Sequence, residues 1–254
     1  MALFTDGPIS GIDDLAAQDS QVLDIASEED INLTQKIASA QEQIGLEILS
    51  WLERTQFVNR LVWSTQEYPL NRVVVTRALK LWVTFLSLEL VYAEAFGNQL
   101  NDRYAAKRDQ SHEMAEWAAE KVVQAGIGIT ANPVPQAAVP LVTATKGSLA
   151  DGTYYITMAW LNSGGEEGAS APATVVTTAD GTFLVQPGVA PSTAVAWNVY
   201  VGAGPETMFL QNSSPIPNGQ PWLQPANLIT SSRSPGTGQR PMMLRPVPRI
   251  LQRG

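Results

Sequence analysis

One histidine and no cysteine stand among the 254 residues of this chain. The lack of thiols excludes disulfide scaffolds, Cys-ligated zinc, iron–sulfur clusters and thiol catalysis. A single imidazole, His112, closes every mechanism that needs two histidines from one chain. His112 falls among charged residues in a helical stretch, the setting of a solvated or packed histidine. Adjacent acids occur at Asp13–Asp14, Glu28–Glu29 and Glu166–Glu167. A glycosidase holds two carboxyls roughly 5–10 Å apart across a cleft. These pairs lie instead in a Gly-rich arm, a first helical turn and a turn, where acids serve local ends. No Gly-x-Ser-x-Gly or phosphate-loop pattern occurs. Gly202-Ala-Gly204-Pro lacks a third glycine and a following helix, so it reads as a hairpin turn, and no spacing fits a calcium loop. The sequence thus predicts no catalytic residue, no cofactor and no metal, and a protein that is not an enzyme.

The more suggestive residues are those of the last segment. Residues 226–254 carry Arg233, Arg240, Arg245, Arg249 and Arg253 and no acid, a local charge of +5. Pro235, Pro241, Pro246 and Pro248 favour an extended course. Met242, Met243, Leu244, Val247, Ile250 and Leu251 are too apolar for a solvated tail. This pattern predicts an arm that binds a partner through Arg233, Arg240, Met242, Met243, Leu244, Arg245, Arg249, Ile250, Leu251 and Arg253, with arginines at the rim of the partner's groove. The opposite end mirrors it in charge. Residues 1–35 hold eight acids and no Lys or Arg, a local charge of −8. Oppositely charged ends can meet, within one molecule or between neighbours.

Between these ends the pattern changes once, near residues 126–140. Before it the chain reads as three long helices. The first starts at an N-cap on Ser27 and runs to about Arg54, with Ile37, Ala40, Ile44, Ile48, Trp51 and Leu52 on one face. The second starts at Pro69 and stops at Gly97. The third runs from Asn101 or Asp102 to Ala125, ahead of Gly126. The second helix is apolar nearly all round, which predicts a face left for another subunit. It and the third carry basic residues early and acids late, against the helix dipole, so partners for them are expected elsewhere, in an antiparallel or neighbouring helix.

After the change, alternating runs at 153–161, 173–178, 181–185, 194–201, 207–211 and 222–223, parted by Gly, Pro and Asn turns, predict a β-sandwich. The expected division is an acidic N-terminal arm at 1–26, a helical domain at 27–126, a linker at 127–138, a sandwich at 139–226 and an extended Arg/Pro-rich arm at 227–254. No basic n-region precedes an apolar run at the start, so synthesis in the cytoplasm is expected. The greasiest stretch, Val73–Tyr92, carries Arg77, Lys80 and Glu89 and is not expected to span a membrane.

Ile12-Asp-Asp-Leu, the run from Val22-Leu-Asp-Ile-Ala-Ser-Glu-Glu-Asp-Ile to Gln43-Ile44, and the helices after it resemble the head–tail connector (adaptor, or neck) proteins of tailed bacteriophages. Asp151-Gly-Thr-Tyr-Tyr-Ile, Gly165-Glu-Glu-Gly-Ala-Ser-Ala-Pro and Ala196-Trp-Asn-Val-Tyr-Val-Gly resemble the fibronectin type III-like modules of phage structural proteins. The two resemblances cover roughly residues 12–226. They imply a multidomain α plus all-β chain, a helical bundle followed by an Ig/fibronectin type III-like sandwich and an extended arm. They imply a structural virion protein at the head–tail interface: a homo-oligomeric, dodecameric ring below the portal protein. Such a ring continues the DNA channel without binding DNA specifically, and docks the next neck or tail-terminator protein. Another tail or baseplate component, or a carbohydrate-binding protein, is the alternative.

Overall fold

The computed structural model describes residues 2–60 and 69–245, with side chains up to 55 in the first stretch and throughout the second. Five α-helices in the N-terminal half precede three antiparallel sheets, an α plus β multidomain arrangement. The chain forms two compact units: a helical one from residues 7–129 and 241–245, and a β one from residues 2–6 and 130–240.

The helical unit opens with α1 (Ile12–Gln18) and α2 (Val22–Glu28), followed by α3 (Leu33–Arg60), α4 (Arg77–Gln99) and α5 (Asp102–Ala125). The segment expected to be an acidic arm is therefore folded. Leu15, Val22, Ile25 and Ile31 are buried, and their burial is what holds so short a pair of helices in place. Ser27 caps nothing; it lies inside α2. Asp30 takes a left-handed backbone (φ 54°), and the next helix is capped by Asn32, whose side chain accepts from the Gln35 N–H at 3.1 Å.

The second long helix begins later than expected. Val73–Val74 form strand β1, because the β-branched run suits a sheet better than a helix. Thr76 then caps α4, accepting from the Leu79 N–H at 3.3 Å. Gly97 does not end it; Leu100 does, in a left-handed conformation at φ 51°. α5 has the boundaries the sequence predicts, with Asn101 as its cap.

α4 is the axis of this unit, with α1, α2, α3 and α5 all packed on it. Leu79, Trp82, Val83, Phe85, Leu88, Val91 and Tyr92 are buried, and none of its large apolar side chains is exposed. The expected face for another subunit is covered within the chain, because the folded N-terminal segment supplies two further helices. The reversed charge order is explained in the same way. Lys80 pairs with Asp14 at 2.8 Å, Lys107 with Asp19 at 2.8 Å, and Glu94 with Lys36 of α3. Glu89 reaches across to α5, where His112 Nδ1 lies at 3.1 Å.

The supposed linker at 127–138 contributes residues to both units. Ile127–Ile129 form β2, fully buried and paired antiparallel with β1, while Val134 and Ala137 belong to the core of the β unit. That core lies between two sheets. One contains β3 (Leu141–Lys146), β6 (Gly181–Gln186) and β10 (Trp222–Leu223), in the order β10-β6-β3. The other contains β4 (Gly152–Leu161), β5 (Thr174–Thr178), β7 (Ala196–Gly202) and β8 (Phe209–Leu210), in the order β5-β4-β7-β8, with β9 (Ile216–Pro217) also on β7. Alternate residues point inward: Tyr154, Ile156, Met158 and Trp160 from β4, Phe183 and Val185 from β6, Trp197, Val199 and Val201 from β7. Val134 and Leu228 pack on the same core, so the sandwich extends beyond 139–226 at both ends.

Candidate interaction site in the C-terminal segment

The segment that the sequence marks for partner binding is divided between the two units. Residues 227–240 belong to the sandwich and 241–245 to the helical unit. Arg249, Ile250, Leu251 and Arg253 lie outside the described residues.

On the sandwich, Leu228 packs on the core, and the tail beyond it crosses the outer side of the β4–β7 sheet on polar contacts. Arg233 donates from Nη2 to the Tyr200 hydroxyl at 2.9 Å and lies 3.3 Å from Glu167 Oε2. The Tyr200 hydroxyl donates to Glu167 Oε1 at 2.5 Å, and Asn198 Nδ2 donates to the same oxygen at 3.1 Å. Burial, reinforced by the Glu167 carboxylate beside it, pushes the Tyr200 hydroxyl far above its ordinary pKa. Arg233 also contributes its carbonyl, which accepts from the Leu210 N–H at 2.9 Å and covers the edge of β8.

Gln239 makes the second anchorage. Its Oε1 accepts from the Val134 N–H at 2.7 Å. Its Nε2 reaches Thr130 Oγ1, the Asn132 carbonyl and Glu166 Oε2 at 2.9–3.1 Å. The glutamine is 3% exposed, so these bonds satisfy its own buried amide and, with it, the buried Val134 N–H. Asn162 closes the network, donating to Glu166 Oε2 at 2.8 Å and to the Asn132 carbonyl at 3.0 Å. The Glu166–Glu167 pair, placed by sequence in a plain turn, is thus a fastening for the tail. Its two carboxylates hold different residues, Gln239 and Arg233. Nothing in their spacing announces this, since the partners lie 66 and 73 positions away along the chain.

Beyond Arg240 the tail becomes strand β11 (Met242–Leu244), the third strand of the β1-β2-β11 sheet. Met242 stands opposite Ile129, Met243 opposite Gly128 and Leu244 opposite Ile127. Two glycines make the seat. A Cβ on Gly126 would lie 2.9 Å from the Leu244 carbonyl oxygen, and one on Gly128 would lie 2.8 Å from Pro241 Cβ. Gly126 also has φ 100°, a conformation other residues seldom take. The signal was present in the sequence as Gly126-Ile-Gly128, where Gly126 reads only as a helix stop. Met242 and Met243 remain 61% and 47% exposed, so β11 is held by its ladder and its side chains face outward.

Acids of the N-terminal segment and the single histidine are engaged in structure. Asp14 caps the Gly11 N–H at 2.8 Å and binds Lys80; Asp19 accepts from the Tyr92 hydroxyl at 2.7 Å and binds Lys107. Burial works to raise both carboxyls, but their hydrogen bonds outweigh it and each sits below its ordinary pKa. Glu29 accepts from the Tyr104 hydroxyl at 3.3 Å. His112 lies between Glu89 and Glu116, at 3.1 and 3.5 Å. Among the described residues no group of three or more His, Asp or Glu is placed to hold a metal ion, and no helix is long and apolar enough to cross a membrane. Comparisons with protein-family models, with curated proteins and with solved structures find no match for this chain.

Proposed function

We propose that the chain is a structural head-to-tail adaptor of a tailed phage, forming a ring below the portal. The observation that carries the reading is the organisation of the chain. A bundle of three long helices and a two-sheet sandwich follow one another in the order of the two resemblances. In this reading the helical units build the ring. Because α4 is covered in the chain, ring contacts fall to other helices. Among the described residues, Ile12 of α1, Leu23 of α2, Leu46 of α3 and Met114, Trp117 and Val123 of α5 are exposed apolar side chains open to such contacts. Met242 and Met243 of β11, with Arg240 and Arg245 beside them, would meet the portal or the next neck protein.

The test is to mix the purified chain with assembled portal rings and image the product by negative stain. Added density on the tail-facing side of the portal, reduced when Met242 and Met243 are both changed to Ser, is the expected result. A chain that stays unattached to portal at every concentration sinks the reading.

A further inference from the structure

The sandwich has four sheet edges, and three of them are protected or ordinary. The β8 edge is covered by the tail through the Leu210–Arg233 bond. β10 is two residues long and lies between Pro221 and Pro225. β5 alternates between exposed and more buried positions, as a half-buried strand does. β3 differs. Of its six residues, Leu141, Thr143, Ala144, Thr145 and Lys146 are exposed and only Val142 is partly covered. Ala144 shares the inward face of Val142 and is exposed as well, although β3 also runs close to β5 of the facing sheet. Among the described residues a single ladder, to β6, holds it. Its outer edge carries one charge, at its far end, and has no proline within it; Val139 and Leu141 beside its start are 51% and 63% exposed. Devices that keep an edge strand from pairing are missing where this strand needs them most.

We propose that β3 is the contact edge of a two-fold dimer, in which Leu141–Lys146 of one copy pairs antiparallel with the same strand of a second copy. The strand is suited to its own likeness. A two-fold axis normal to the sheet brings residues of equal parity opposite one another. Centred on Thr143, it sets Leu141 against Thr145 and Val142 against Ala144 of the second copy, with Thr143 against its own equivalent. Lys146 then falls opposite Pro140, and no like charges meet. The exposed Leu141 and Ala144 gain neighbours, and the outer main-chain groups gain the ladder they lack. This inference stands apart from the neck reading, since edge pairing and portal attachment can each fail alone.

The position on the two-fold gives a selective test. Thr143→Lys and Thr143→Glu alter an exposed side chain, and circular dichroism checks that both full-length variants keep the wild-type spectrum. The wild type should reach about twice its mass of 27.4 kDa in light scattering as concentration rises, with the weak, concentration-dependent association of a small interface. Each variant alone sets like charges face to face, and its association should fall by about tenfold or more. An equimolar mixture sets Lys against Glu and should recover the dimer. A wild type that is monomeric throughout overturns the proposal. So does an oligomer, a ring included, that neither charge disturbs, and so does a mixture that stays as dissociated as its components.

Discussion

The two ends of the chain carry opposite charge and both read as arms, yet they are held by different forces. The N-terminal segment at 7–31 is fixed by apolar burial, with Leu15 and Val22 fully buried and the ion pairs of Asp14 and Asp19 added at its rim. The C-terminal segment at 227–240 is fixed by side-chain hydrogen bonds, chiefly those of Gln239 and Arg233. Net charge described neither attachment. The acids of the first segment meet lysines of α4 and α5, and Arg233 meets Glu167, so each end finds its counter-charge inside its own unit. Electrostatics chose the neighbours; burial at one end and saturation of buried polar groups at the other keep them.

The largest expected effect follows from the apolar side of this contrast. Leu15→Ala leaves a cavity in a fully buried site and should destabilise the helical unit by about 2–5 kcal/mol. Urea denaturation, followed by circular dichroism in the helical band, measures it. A loss under about 0.5 kcal/mol, the range of surface substitutions, would mean that α1 is a loose arm after all.

The next effect tests the polar end. Gln239→Ala removes four hydrogen bonds at once and leaves the Val134 N–H and the Asn132 carbonyl without that partner, for an expected cost of about 1–3 kcal/mol. Gln239→Glu keeps the shape, but sets a carboxylate against Glu166 and should do no better. Hydrogen exchange should quicken in 227–240 and at Val134 while the β4–β7 ladder stays protected. Unchanged exchange in the tail would shift the weight to Arg233.

The unequal legibility of the two ends has the same physical root. Apolar periodicity shows in a sequence, and it located the stripe Ile37–Ile44–Ile48 and the alternating runs that form β4 and β7. It was also present in the first segment, at Leu15, Val22 and Ile25, where a dense run of acids argued for an arm. The error at Pro69 is of another kind: helix and strand compete for Val73-Val74-Val75, and the outcome depends on β2, more than fifty residues later. The fastening of the tail left no pattern at all. A buried glutamine that bonds to main chain a hundred residues away looks like any other glutamine, and Glu166 and Glu167 look like turn acids. β3 was missed because it has no buried face to produce alternation.

The smallest effect separates the rim of the N-terminal segment from its core. Asp19 has a side chain only 11% exposed and three partners: the Tyr92 hydroxyl, Lys107 and the Gln21 N–H. Its pKa in the folded chain lies below the ordinary 3.8 because these bonds outweigh the burial that opposes them. A carboxyl whose pKa is lowered by folding contributes stability that is complete above its unfolded value and is lost as the pH falls through its folded value. Asp19→Asn should therefore weaken the helical unit by about 1 kcal/mol at pH 7, as expected for a charge-assisted contact near the surface. That difference from wild type should hold down to about pH 5 and then shrink toward zero as both proteins are acidified below the ordinary aspartate range. Added salt should reduce it at neutral pH, because Lys107 is partly exposed, while leaving the cost of Leu15→Ala unchanged. A gap that persists undiminished at low pH would assign the loss to the neutral Tyr92 contact instead of to charge. The N-terminal segment would then be held, like the C-terminal one, by hydrogen bonds to uncharged partners.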